Sequence, residues 1–282
     1  MSISFFCKKV IAKISFIFGG NIFYLEKLNK KSNNQYIRII NYHFSPKNEM
    51  GNFEKQIKWF LKYFTPCNME DFEMFLGGKK TFSEKPGILF TFDDGFLENY
   101  EVAVPLLNKY GIKGVYMVSP GLIGAKQHIS ENGCHDYIGR DELVEMINGG
   151  SAIGCHTYDH HRMNKGDTEE VLYKQVVQAK KDLEKALEHE INLFCWCGGE
   201  ESTYTKEAAS MIRRAGYKYS MMTNSAPIFP NSNPFQLDRI NVETSWPISL
   251  VSFQVSGLMD LKLKKKRERV HQLTEANCEK NY

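Results

Sequence analysis

Two adjacent aspartates, Asp93 and Asp94, stand in the stretch TFDDGF, directly behind an apolar run. A carboxylate at the edge of a core has to be paired or neutralised, because a bare buried charge is far more costly than one in a surface loop. A second stretch, GCHTYDHH, sets His156 and His160 four residues apart behind another apolar run. Two imidazoles and one carboxylate form a facial triad that grips a borderline divalent cation and leaves positions open for water and substrate. Asp94 supplies that carboxylate. Asp93, pointing the other way along an alternating strand, is then left unligated as a general base. Zinc suits this donor set best, and nickel or cobalt fits the same ligands. Taken singly, the aspartates read as a cap or turn and the histidines as a surface pair. Their joint placement at the ends of two apolar runs favours the metal site.

The elements that carry these residues alternate. YIRIINYH, GILFTF, GVYMV, SAIGCH, INLFCW, YKYSMM and FQLDRINV read as strands. Between them lie segments of helical period: NFEKQIKWFLKYF, a stretch near 97–109, RDELVEMINGG, DTEEVLYKQVVQAKKDLEKALEH with Asp167 and Glu170 in capping-box spacing, and a stretch near 204–214. Such alternation implies parallel pairing through right-handed crossovers, hence an α/β fold with one buried sheet, open or closed into a barrel. Ligands in these folds bind at the carboxyl ends of the strands, where Asp93, Asp94, His156, His43, Arg239 and a Gly-Gly pair all fall.

Composition excludes several classes. With 42% hydrophobic and 24% charged residues, neither wholesale disorder nor a multispanning membrane protein is indicated. A net charge of +3 is too small to argue for nucleic acid as a partner. Seven cysteines without regular spacing favour reduced thiols and a cytoplasmic setting. Lysines at 8, 9 and 13 interrupt the N-terminal apolar stretch and no small-residue cleavage site follows, so it does not read as an export signal. Its longest uncharged run, Ile14 to Leu25, is too short to span a bilayer. Phe6, Val10, Ile14 and Ile17 share one helical face flanked by lysines. That pattern suits either a helix resting on anionic lipid, giving peripheral contact at the inner face of the membrane, or one packed on the domain's own core. The run KLKKKRERV reads as a solvated basic tail. The expected organisation is an amphipathic segment over 1–30, one α/β domain over 31–260 and a basic tail over 261–282.

TFDDG and HTYDH resemble the first and second motifs of the polysaccharide deacetylases of the NodB-homology type, carbohydrate esterase family four, and INYH, GVYMVSPGLIG and RDELVEMINGG resemble its usual intervening segments. The resemblance implies a distorted (β/α) barrel with about seven parallel strands. It implies Asp93 as catalytic base, with Asp94, His156 and His160 as ligands of a divalent metal. The implied activity is hydrolysis of the N-acetyl group of an amino sugar, in a polysaccharide or lipid-linked glycan, during surface-polysaccharide biosynthesis. FCWCGGE occupies the third motif, with Cys195 where arginine can stand, Cys197 in place of proline and Gly198 in place of tyrosine. By the same resemblance the Gly198 N–H is the oxyanion donor, Arg239 in LDRINV orients Asp93, and Trp246 is either a wall for the acyl methyl or a core residue. The histidine of the fifth motif, a general acid, has no match. His43 at a strand end is the candidate donor, with a structural hydrogen bond as its alternative, while His271 reads as solvated and His161 as a loop residue. Cys195 and Cys197 read as buried thiols, since no second pair follows at metal spacing. Two rivals remain open: a catalytically silent glycan-binding protein, and a deformylase or other amide hydrolase using the same machinery.

Overall fold

The computed structural model describes residues 3–130 and 133–275. Its strands are β1 (Ile37–Tyr42), β2 (Thr65–Cys67), β3 (Gly87–Phe92), β4 (Val115–Val118), β5 (His128–Ser130), β6 (Gly133–His135), β7 (Ala152–Cys155), β8 (Leu193–Cys195), β9 (Tyr219–Met222) and β10 (Leu237–Asn241). The seven apolar runs read from the sequence are β1, β3, β4, β7, β8, β9 and β10. They pair in parallel in the order β1-β10-β9-β8-β7-β4-β3, and β1 closes the ring on β3 from Ile37↔Gly87 to Tyr42↔Phe92. The sheet is therefore a closed seven-stranded barrel. β2 borders only the first half of β3, opposite Gly87 to Leu89, where β4 has not yet joined. β5 and β6 form an antiparallel hairpin outside the ring. These three-residue strands are too short to leave a periodic signal.

Alternation along the strands separates two layers of side chains. Ile37, Ile39, Leu89, Val115, Met117, Leu193, Cys195, Met221 and Leu237 fill the barrel floor, which the Met69–Leu76 helix plugs with Phe72, Phe75 and Leu76. The opposite faces, among them Ile40, Tyr42, Phe90, Phe92, Tyr116 and Phe194, pack under the surrounding helices. Two to four residues beyond the floor on the same inward rows, the sequence turns polar at Asn41, Thr91, Asp93 and Arg239, all buried. The barrel thus has an apolar base and a polar upper end.

Two local readings differ from the structure. The long helical stretch begins at Glu169 with Thr168 as its N-cap, accepting from Val171 N–H, so Asp167 is not the cap. Asp167 instead pairs with His161 Nε2 at 3.0 Å and accepts from Asn164 N–H at 2.8 Å. The basic run near the C-terminus is not a solvated tail, because Leu258–Thr274 is a docked helix. Buried Arg38 reaches it with two bonds to Asp260, 2.9 and 2.7 Å, and His271 Nε2 lies 3.0 Å from buried Asp238. Residues 276–282 of that stretch lie outside the described residues. At the other end, helices Ile3–Ile17 and Gly20–Ser32 rest on the Ile248–Val255 helix, anchored by buried Asn21, which donates to Ser252 Oγ at 2.8 Å. No helix among the described residues is long and apolar enough to cross a membrane.

Closure leaves no room at the start of β3. A Cβ on Gly87 would lie 2.6 Å from Phe82, 2.7 Å from Ile37 and 2.9 Å from Cys67 side-chain atoms. Gly87→Ala is expected to destabilise the fold by about 1–3 kcal/mol through overpacking, read as a lowered midpoint in urea with an unchanged slope.

Candidate active site

The inward rows of β1, β3 and β10 bring one buried network together. Arg239 lies fully buried and donates from Nη1 to Asp93 Oδ1 and from Nη2 to Asp93 Oδ2, both at 2.7 Å. Asn41 Nδ2 donates to Asp93 Oδ2 at 2.8 Å, while Asn41 Oδ1 accepts from Arg239 Nη1 at 3.0 Å. Burial alone would raise the Asp93 carboxyl, but Arg239 and then His156 outweigh it and hold the group below the usual carboxylate range. Asp93 is therefore an ionised carboxylate fixed on both oxygens.

Asp94 does not follow from strand alternation, which would send it outward to the helix layer. Its backbone turns into the left-handed region (φ 71°), continued by Gly95 (φ 75°), and the turn swings the carboxylate back over the barrel mouth. A side chain at position 95 would press on Val118 Cγ1 at 3.1 Å, so glycine is needed there for space as well as φ. The loop after β7 makes comparable departures, with Thr157 at φ 59° and His160 at φ 61°. As a result His156 Nε2 lies 3.4 Å and His160 Nε2 3.0 Å from the same Asp94 oxygen.

The other nitrogen of His156 decides what that convergence means. Nδ1 lies 3.1 Å from the backbone carbonyl of Cys195, which can only accept, so the proton of neutral His156 sits on Nδ1. Nε2 then presents a lone pair to an ionised oxygen. Asp94 Oδ1, His156 Nε2 and His160 Nε2 thus come together at the barrel mouth, and one carboxylate with two imidazoles is a donor set that fits a divalent metal. Around Asp94, burial raises the carboxyl while His156, His160 and His43 lower it, and the net position is well below the usual range.

Asp93, Asp94, His156, His160, His43 and Gly198 all line one cavity of about 390 Å³, together with Phe44, Arg162, Gly199, Glu200, Thr223, Asn241 and Glu243. His43 Nδ1 stands 3.6 Å from Glu243 Oε1. Burial opposes protonation of His43, but Glu243, Asp94 and Asp93 outweigh it and raise the group to about 9. Trp246 is not among the lining residues. Its ring packs against Phe5 of the N-terminal helix, centroids 5.9 Å apart, with Lys8 Nζ 5.5 Å over it. His161 and His271 are both paired to aspartates away from this cavity. Asn41 and Glu243 went unread in the sequence. The signal was period two: Asn41 precedes His43 by two, and Arg239, Asn241 and Glu243 follow one inward row.

Cys195 and Cys197 are buried free thiols. Cys195 Sγ sits 2.8 Å from Arg239 Nη2 and 3.8 Å from Asp93 Oδ1, beneath the ion pair. Cys197 donates to the His156 carbonyl at 3.3 Å and faces Thr157 Oγ1 at 3.3 Å. Burial pushes both thiols well above their ordinary range. Among the described residues, donor atoms of His156, His160 and Cys197 come within 4.8 Å of one another, as do those of Asp93, His156 and Cys195.

A sequence profile described as polysaccharide deacetylase matches residues 80–220, half of the chain. The chain is 29% identical over 199 residues to the Bacillus subtilis (strain 168) protein YxkH, whose name groups it with the polysaccharide deacetylases; the match covers 70% of this chain and 65% of that one. It is 28% identical over 218 residues to a Staphylococcus aureus (strain MRSA252) poly-β-1,6-N-acetyl-D-glucosamine N-deacetylase, covering 71% of each. Among solved structures, IcaB from Ammonifex degensii superposes with a TM-score of 0.67 at 20% identity, covering 80% of this chain and 97% of that one. The Streptococcus pyogenes deacetylase PplD, solved with acetate, superposes with a TM-score of 0.62 at 20% identity over 78% of this chain and 98% of its own. At these identities the superpositions establish the shared barrel.

The ion pair makes a direct prediction. Arg239→Met leaves Asp93 buried without its cation and is expected to cost about 3–5 kcal/mol. Adding Asp93→Asn to Arg239→Met is expected to restore a large part of that loss. Equilibrium unfolding of the two single variants and the double variant measures the coupling, and simple additivity would refute the pairing.

Proposed function

The chain belongs to the polysaccharide deacetylase family, and from that membership and the geometry of the barrel mouth we propose a metal-dependent hydrolase that removes acetyl from an N-acetylated amino sugar. The substrate class is a polysaccharide or lipid-linked glycan, and the setting is surface-polysaccharide biosynthesis. The observation that carries the reading is the convergence of Asp94, His156 and His160 on one point beside an unligated, ionised Asp93. The name of the Staphylococcus aureus relative, which specifies an N-acetylglucosamine polymer, supports an amino-sugar amide as substrate.

Asp94, His156 and His160 hold the cation, zinc first and nickel or cobalt as alternatives with the same donors. A divalent cation, when bound, supplies Lewis acidity: it acidifies water and polarises a carbonyl. Asp93 takes the proton from the attacking water, and Arg239 with Asn41 fixes the direction in which its oxygens face. Arg239 also lowers the basicity of Asp93, so positioning and not proton affinity is its contribution. Gly198, at the cavity wall with φ 81°, offers its N–H to the oxyanion as it forms. His43, biased toward the imidazolium by Glu243 and the two aspartates, gives a proton to the departing amine. Acetate and the free amino sugar are the products.

The silent glycan-binding alternative rests on the absent third-motif arginine and fifth-motif histidine; the two bonds from Arg239 to Asp93 answer the first of these and favour the hydrolase. Acetate release from N-acetylated oligosaccharides tests the assignment. Asp93→Asn is expected to lower kcat about 10²–10⁴-fold while metal content stays unchanged. Asp94→Asn and His156→Ala are expected to lose metal on purification. Equal turnover by wild type and Asp93→Asn would remove the base, and a metal-loaded wild type inert across the panel would favour the binding protein.

The same assay separates the acid from the base. His43→Gln is expected to lower kcat with little change in KM, since His43 meets the leaving group and not the ground-state sugar. An unchanged kcat would return His43 to a structural role.

A further inference from the structure

We infer that the N-terminal helix pair is a docking surface for an anionic lipid bilayer, set beside the rim of the cavity. The Ile3–Ile17 helix is built inside out. A helix on a globular domain normally turns its apolar stripe inward. Here Phe6, Val10, Ile14 and Ile17, spaced on one face, are 62%, 41%, 53% and 66% exposed, and the turn that follows adds Phe18 at 83%. Phe23 and Tyr24 of the Gly20–Ser32 helix extend the exposed apolar area. The side of the first helix that meets the body carries buried Ala12 and the partly buried Lys8 and Ser15. Packing on the domain's own core, the alternative open in the sequence, is therefore not what this stripe does.

Charge selects the occupant. Residues 1–32 hold six lysines, 8, 9, 13, 27, 30 and 31, against a single acid, Glu26. The C-terminal helix adds Lys262, Lys264 and Lys265, and Lys8 is pushed down to about 8 by burial and by Lys262 nearby. The helices that carry the apolar face are thus rich in lysine, with Lys262 brought beside Lys8, and hydrocarbon with anionic headgroups satisfies both features. The helix is too short to cross a bilayer, so the fitting mode is to lie along its surface.

The surface also has a fixed relation to the cavity. Phe5 packs on Trp246, and the loop carrying Trp246 is held by Gln56, which donates to the carbonyls of Glu243 at 2.9 Å and Trp246 at 2.8 Å. Glu243 lines the cavity. One short loop therefore joins the exposed helix to the cavity wall, an arrangement that would present a lipid-linked glycan to the barrel mouth; this last clause rests on the proposed function, the docking surface does not.

Flotation of the full chain with phosphatidylcholine vesicles, with and without a third of phosphatidylglycerol, tests the inference. Binding is expected to be about tenfold tighter to the anionic vesicles and to weaken as salt rises. The exposed-face variant Phe6→Ser/Ile14→Ser/Ile17→Ser is expected to lose about tenfold in binding while its thermal melt is unchanged. Lys13→Glu/Lys30→Glu/Lys31→Glu is expected to erase the preference for anionic lipid. No vesicle binding by wild type, equal binding by wild type and the serine variant, or a lipid-independent dimer that the serine variant dissolves in light scattering would each overturn it. Acetate release from a soluble oligosaccharide is read separately, so failure of the lipid surface and failure of the proposed chemistry are distinguishable.

Discussion

Two neighbouring carboxylates, each only 3% exposed, sit at the mouth of a closed barrel, and each needs positive charge in place. A shared solution would leave them competing, because adjacent acids in a poorly solvated site tend to hold one proton between them. The barrel separates them instead. Strand alternation carries Asp93 inward onto Arg239, and the left-handed turn at Asp94 carries the second carboxylate up to His156 and His160. Asp93 is satisfied by Arg239 and Asn41, and Asp94 by the two imidazoles above it. The separate surroundings of the two carboxylates thus follow from where Arg239 sits.

That position also accounts for the thiol beneath it. Cys195, on β8, occupies the place where the family can carry an arginine, and its sulfur lies against Arg239 Nη2 and near Asp93. The cation that Asp93 requires is supplied from β10, two strands away around the ring. A second guanidinium at 195 would press like charge onto Arg239 in a fully buried layer. A small, protonated thiol avoids that repulsion and completes the apolar floor to which Leu193 and Met221 also belong.

The seven barrel strands were readable because burial on both faces writes them as continuous apolar runs between turn residues. The gathering of Asp93, Asp94 and His156 at one end of the barrel was readable because these residues follow the ends of those runs. Other features depended on information that hydropathy does not carry. The docked C-terminal helix buries little apolar surface, with Met259, Val270 and Thr274 its buried residues, and is held by Arg38, Ser225 and Asp238 through polar bonds. The orientation of Asp94 depends on one positive φ, which two-residue periodicity cannot anticipate. Trp246 stayed open between cavity wall and core packing, because its partner Phe5 is more than two hundred residues away in sequence.

Asp94, Thr157 and His160 all occupy left-handed conformations that cost an ordinary residue roughly 1–2 kcal/mol each. Such strain persists only where neighbours over-determine it. Ser119 and Cys197 both donate to the His156 carbonyl, and Gln175 accepts from Tyr158 N–H while donating to Asp159. The loop from His156 to His160 is therefore clamped on one side by residues just past β4 and β8 and on the other by the helical segment that follows it. Relaxing these backbones would draw Asp94, His156 and His160 apart. The strain is thus the means by which the Asp94 carboxylate and the two imidazoles are held close together, and groups organised in advance lose little further freedom when a ligand binds.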